Sequence, residues 1–226
     1  MILRAGERHE PHTVGRVFAV DGSLARPRTS GSRSAGEQWK TTLIERLGYP
    51  HDTKLLIIHA DDLGMTHSVN AASIRALASG VVNSASLMVP CPWFAEIAAY
   101  ARGHPGADLG LHLTLTSEWK AYRWGPVLPG DRVRTLLDRD GYLHSTEHEA
   151  AAKSDVREVE AEIRAQITRA KGFGIEPTHL DSHMVALYQN RAFVAALLRV
   201  GRDHGLPVMV SREWFDRTPY LPTLLA

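Results

Sequence analysis

An α/β fold built on a parallel sheet, open or closed into a barrel, is what this chain predicts. Three observations lead there. From Lys40 onward, apolar runs of strand length alternate with amphipathic stretches of helix length. The first run, "KLLIIHA" (54–60), has the near-continuous apolar character of a strand buried on both faces. Gly, Pro, Asn, Asp, Ser and Thr punctuate the boundaries at the positions that cap helices and make turns.

The elements follow in order. After the first strand, Thr66 or Ser68 caps a helix reaching about Ser79, and Gly80 stops it. "SASLMVP" (84–90) is a second strand and "WFAEIAAYAR" (93–102) a second helix. "DLGLHLTLT" (108–116) is a third strand, with Leu109, Leu111, Leu113 and Leu115 on one face and Gly110, His112 and Thr114 on the other. A long insertion, 117–153, is polar and aromatic by turns. Asp155 and Glu158 then read as a capping box, Val156, Val159, Ile163 and Ile167 as an apolar stripe, and Gly172 as the helix stop. "PTHLDSHM" (177–184) is a fourth strand, Asn190 to about Asp203 a fourth helix, and "PVMVS" (207–211) a fifth strand. There is no internal repeat. Residues 1–39, rich in Gly, Ser, Arg and Pro, read as a disordered or non-native leader in which His9 and His12 are solvated. Residues 40–226 then form one domain.

Composition narrows the function. Of 226 residues, 44% are apolar and 23% charged, as in globular proteins. A net charge of +1 supplies no basic field for nucleic acid or a membrane surface, so neither is an expected partner. The one cysteine, Cys91, excludes an internal disulfide and reads as a small buried thiol. No apolar run approaches the roughly 20 residues of a membrane span. The N-terminus lacks the apolar core of a secretory signal, so the expected location is cytoplasmic.

Three strand ends carry ligand-type side chains. The first runs into Asp61 and Asp62, the third carries His112, and the fourth carries His179, Asp181 and His183 at a spacing of two. In parallel α/β folds the strand C-termini share one rim, where such residues converge. Adjacent carboxylates repel and resist desolvation unless a cation lies near them. Two imidazoles with a carboxylate suit a catalytic divalent metal, and a second Asp beside them is free to act as base. Each feature alone has a plainer reading: a hydrogen-bonded core histidine, a solvated Asp-Asp turn, a polar cluster at "HLDSH". Their joint appearance favours the metal.

"ADDLG", "SASLMV", "DLGLHLTLT" and "PTHLDSHM", in this order, resemble the YdjC/ChbG-like carbohydrate deacetylase family, over about residues 40–215. The resemblance implies a distorted TIM-like (β/α) barrel and metal-dependent removal of acetyl groups from N-acetylated saccharides. It implies Asp62, His112 and His183 as ligands of one divalent ion, magnesium or zinc, and Asp61 as catalytic base. His179 or Asp181 would orient His183, His179 reading equally as a buried structural residue, and Trp119, Tyr122 and Trp124 would either stack on a sugar ring or plug the barrel mouth. Two departures stand out. Met184, Val185 and Ala186 replace further histidines of the family, and its later strands and His-Pro motif have no counterpart before Ala226. With about five strands, the expectation is an incomplete barrel that forms homo-oligomers through unpaired edges on its first and fifth strands. Two other readings stay open: a different TIM-like metal hydrolase (phosphoesterase or amidohydrolase), and a catalytically weak fragment that only binds metal or glycan.

Overall fold

The computed structural model describes residues 42–210 and the backbone pairing of two short segments near the N-terminus. The readings of residues 1–39 as a leader and of the tail after Ser211 lie outside the described residues. In chain order the elements are β1 (Ile2–Leu3), β2 (Phe18–Ala19), α1 (Leu43–Arg46), β3 (Leu55–Leu56), β4 (His59–Leu63), α2 (His67–Ser79), β5 (Ser84–Leu87) and α3 (Phe94–Gly103). There follow β6 (Leu109–Leu113), α4 (Glu147–Lys153), α5 (Val156–Gly172), β7 (Leu180–Ser182), α6 (Arg191–His204) and β8 (Val208–Met209).

Strands β4, β5, β6, β7 and β8 are parallel and lie in that spatial order, each separated from the next by helical crossovers. This is the arc of a TIM-like barrel. β1 runs antiparallel along the outer edge of β8, so the edge expected to be open there is paired. No helix among the described residues is long and apolar enough to cross a membrane.

The two faces of the arc differ sharply, and the period of two in each strand produces the difference. Leu87, Leu109, Leu111, Leu113 and Leu180 are buried in one continuous core with Phe94 and Ile97 of α3, Ile163 and Ile167 of α5, and Phe193 and Leu197 of α6. The alternate residues (His59, Ser84, Ser86, Gly110, His112, His179 and Asp181) meet one another on the inner face. The arc is thus lined with hydrogen-bonding groups rather than hydrocarbon.

Three local expectations are corrected. The apolar run 54–58 is not a strand buried on both faces: the strand proper begins at His59, and Ile57 is 54% exposed. Leu55–Leu56 instead forms β3, paired antiparallel with β2 in a separate two-stranded sheet, and Asn83 fastens the backbone of the run through Ile58 N–H and Leu56 C=O. The fourth strand stops at Ser182, because His183–Tyr188 turns into 3₁₀-type helix with Met184 and Val185 both at φ 50°. Asp155 caps α5 by accepting from Arg157 N–H, but Glu158 does not reach back to close a capping box. It accepts instead from Thr135 N–H and Oγ1 in the insertion, a tertiary partner that outcompetes the local one. Thr66 rather than Ser68 caps α2, accepting from Val69 N–H, and Gly80 ends it in the left-handed conformation.

Candidate metal centre

The β4 end explains how two adjacent acids face different ways. Pairing with β5 shifts register between Ala60 and Leu63, and Asp62 takes a left-handed backbone at φ 65°. That conformation costs a non-glycine residue on the order of 1–3 kcal/mol, although Asp tolerates it better than most. It turns the Asp62 carboxylate inward and leaves Asp61 on the rim, with 58% of its side chain exposed.

Asp62, His112 and His183 come together. One donor atom of each lies within 4.8 Å of the others. Asp62 Oδ1 is 3.1 Å from His183 Nδ1 and 3.4 Å from His112 Nε2, and the two rings meet edge to face. The same oxygen is buried and accepts no hydrogen bond. An orphaned buried carboxylate oxygen between two imidazoles fits a cation, which would restore the partner that water or a donor group otherwise supplies.

Both imidazoles are held from behind by carboxylates. His112 Nδ1 donates to Asp181 Oδ1 at 2.6 Å, which directs the Nε2 lone pair toward Asp62. His183 Nε2 lies 3.2 Å from both oxygens of Glu118, which leaves Nδ1 on the Asp62 side. Asp181 therefore supports His112 rather than His183, and Glu118 takes the role expected at His183. Sequence reasoning passed over Glu118. Its only signal was its place two residues beyond Thr116, just past the end of the third predicted strand.

The electrostatics follow the same contacts. Burial alone would lower the His183 pKa, but Asp62 and Glu118 on either side raise it to about 9. Burial opposes ionisation of Asp62 and Glu118 as well, and the adjoining imidazoles still hold both below the ordinary carboxylate range. Asp181 is fully buried, yet its hydrogen bond to His112 and the nearby His59 imidazole keep it strongly acidic.

His179 lies elsewhere. Its ring packs edge to face on His59 and against Gly110, with Nδ1 at Thr178 Oγ1 and 3.5 Å from Asp108. The three aromatics separate as well. Trp124 is buried, donates from Nε1 to Thr116 C=O, and walls His183 at 6.4 Å. Tyr122 donates to Met65 C=O and so ties the insertion to the loop after β4. Trp119 is 46% exposed and leans on Tyr122. Cys91 is a buried thiol, its pKa pushed far up by burial and then by the nearby Glu118 and Asp62 charges.

A β/α barrel arc carrying an acid–imidazole cluster where its strands end places this chain among the barrel proteins whose sites sit on the C-terminal rim. The chain belongs to the YdjC-like protein family, whose sequence profile matches residues 55–222. It is 41% identical over 145 residues to a carbohydrate deacetylase of Thermus thermophilus, covering 64% of this chain and 49% of that protein. It is 34% identical over 170 residues to a carbohydrate deacetylase of Enterococcus faecalis, covering 74% and 63%. Among solved structures, a protein from Enterococcus faecalis assigned to cellobiose-phosphate cleavage matches with a TM-score of 0.64 and 32% identity, covering 74% of this chain and 64% of that one. The chain thus spans about half to just under two thirds of the length of the curated relatives it matches.

Proposed function

We propose that this domain is a metal-dependent hydrolase that removes acetyl groups from N-acetylated carbohydrates. The observation that carries the reading is the orphaned Asp62 oxygen between His112 and His183, with an exposed second acid beside it. The names of the relatives supply the substrate class.

Asp62, His112 and His183 would hold one divalent ion. Bound there, such an ion supplies Lewis acidity toward an amide carbonyl and offsets the charge that develops on its oxygen. Two imidazoles suit zinc, and the carboxylate accepts zinc or magnesium alike. The residues themselves do the rest. Asp181 and Glu118 fix the tautomers of His112 and His183, so both present a lone pair inward. Asp61, on the rim and solvated, accepts the proton of the attacking water as general base. Trp119, exposed on the loop leaving β6, offers an aromatic face to a sugar ring, whereas Trp124 walls the cluster from within.

A phosphoesterase reading has less to stand on. Arg123, a candidate for a phosphate clamp along with Lys120, is committed to Asp138 at 2.8 Å and to Leu143 C=O. The test is acetate release from a panel of N-acetylated saccharides by metal-stripped and zinc- or magnesium-reloaded protein, with nitrophenyl phosphate alongside. Metal-dependent acetate release supports the reading. Phosphate release without acetate would replace it.

A further inference from the structure

The inner face of the arc holds a second cluster beside the first, joined to it by Asp181, whose other oxygen and two neighbouring histidines the proposed reaction leaves unused. His59 opens β4 and His179 immediately precedes β7, so both stand a step back from the rim. With Asp181 they form a group whose donor atoms, one from each, lie within 4.8 Å of one another. Asp181 is fully buried and its two oxygens differ. Oδ1 accepts from His112, whereas Oδ2 is buried and accepts no hydrogen bond, although His59 Nε2 is only 3.3 Å away. Asp62 and Asp181 are the two carboxylates with such an oxygen among the described residues, and each belongs to a different two-histidine group.

We propose that His59, His179 and Asp181 form a second divalent-cation site, selective for zinc-like ions, so that the domain holds two ions rather than one. The surroundings favour a cation. Asp61 lies 3.3 Å from His59 Nε2, and Asp108 lies 3.5 Å from His179 Nδ1, so three carboxylates surround two imidazoles. The outer nitrogens are held as ligating histidines are held. His59 Nδ1 bonds Ser84 Oγ at 2.9 Å, with Ser86 Oγ 3.0 Å from the inward Nε2, and His179 Nδ1 bonds Thr178 Oγ1 at 2.9 Å. Room for the His179 ring exists because position 110 is glycine: a Cβ there would come within 2.3 Å of His179 Nε2. Two imidazoles and one carboxylate suit zinc, cobalt or nickel better than magnesium or calcium, which prefer oxygen. The inference does not depend on deacetylation, since it concerns ion stoichiometry alone.

The test is the metal content of stripped protein reloaded with Zn(II) and freed of excess ion, with Co(II) absorption as a second readout. Two ions per chain are expected. His59→Asn and His179→Asn, altering different segments, should each retain one, as should His183→Ala, and each Co(II) spectrum should lose a different component. Circular dichroism reports folding of the variants. One ion in the wild type, kept by His59→Asn and lost by His183→Ala, overturns this inference and leaves the proposed function standing. One ion kept by His183→Ala and lost by His59→Asn overturns the two-ion count, assigns the ion to this ligand set, and removes the metal assignment behind the proposed function. If His59→Asn does not fold, the wild-type ratio and His179→Asn decide, because a single ion unaffected by His179→Asn is sufficient to reject the second site.

Discussion

At Asp62 the chain accepts a strained backbone, and the return for that strain is a carboxylate aimed at two imidazoles instead of at solvent. If the three residues hold an ion, His112→Ala or His183→Ala should lower metal occupancy sharply, measured by elemental analysis. Asp61→Asn should retain the metal and lose turnover. Full occupancy in both histidine variants would sink the ligand assignment. The protonation of His183 gives a second expectation, for the stripped protein. Its folded pKa of about 9 lies above the unfolded value near 6.5, so its contribution is fully present below pH 6.5 and is lost as pH rises through 9. The shift is worth at most about 3 kcal/mol. The depressed carboxylates Asp62, Glu118 and Asp181 act oppositely, contributing above about pH 4 and losing that contribution in acid. Urea midpoints of stripped protein should therefore fall between pH 6.5 and 9. His183→Gln should flatten that fall, and an unchanged slope would show that His183 is not charged there.

At the scale of elements, a buried acid is one of the anchors of the insertion between β6 and α5. Glu162 of α5 accepts from Val127 and Leu128 N–H and from Gln166, which itself bonds both the N–H and the C=O of Thr114 past the end of β6. Burial raises the Glu162 pKa, and those three donors oppose the rise. Glu162→Ala would leave two backbone donors without a partner, and should cost about 2–4 kcal/mol in chemical unfolding. A cost below about 1 kcal/mol would show that the loop rearranges freely. The aromatic residues divide by the same packing. Trp119→Ala should weaken saccharide binding by about 1–3 kcal/mol with the melting temperature unchanged. Trp124→Ala should melt early, because its ring is core and its Nε1–H serves Thr116. Calorimetry and thermal melts would separate the two, and an early-melting Trp119→Ala would place that ring in the plug as well.

For the molecule as a whole, the polar inner face and apolar outer face make the arc a scaffold for chemistry along one concave surface. Its β4 side carries Leu56, Ile57 and Ile58 exposed, with Val81 exposed nearby in sequence to the start of β5. Exposed apolar residues leading into an edge strand favour association with another chain. Concentration-dependent self-association through that edge is expected in light scattering, and Ile57→Lys should suppress it. Association unchanged in Ile57→Lys would move the interface elsewhere.

The strand–helix alternation, the leucine face of "DLGLHLTLT" and the helix starts near Thr66 and Asn190 were legible in the sequence, because periodicity and capping depend on near neighbours. So were Asp61, Asp62, His112, His179, Asp181 and His183 as candidates, because parallel strands bring their ends to one rim, although Glu118 and His59 were missed. Which of them meet was not. "HLDSH" looked like three side chains on one face of a strand, yet the chain leaves the strand at His183. His183 then pairs with Asp62 and Glu118, while Asp181 sits between His112 and His59. Strand alternation shows which side a residue faces, and the composition limits what it can bind. Only the register of β6 against β7, where His112 is paired with Asp181, and the bulge at Asp62 divide these acids and imidazoles into two groups. Those contacts join residues about 50 to 120 positions apart, and no local pattern in the chain encodes them.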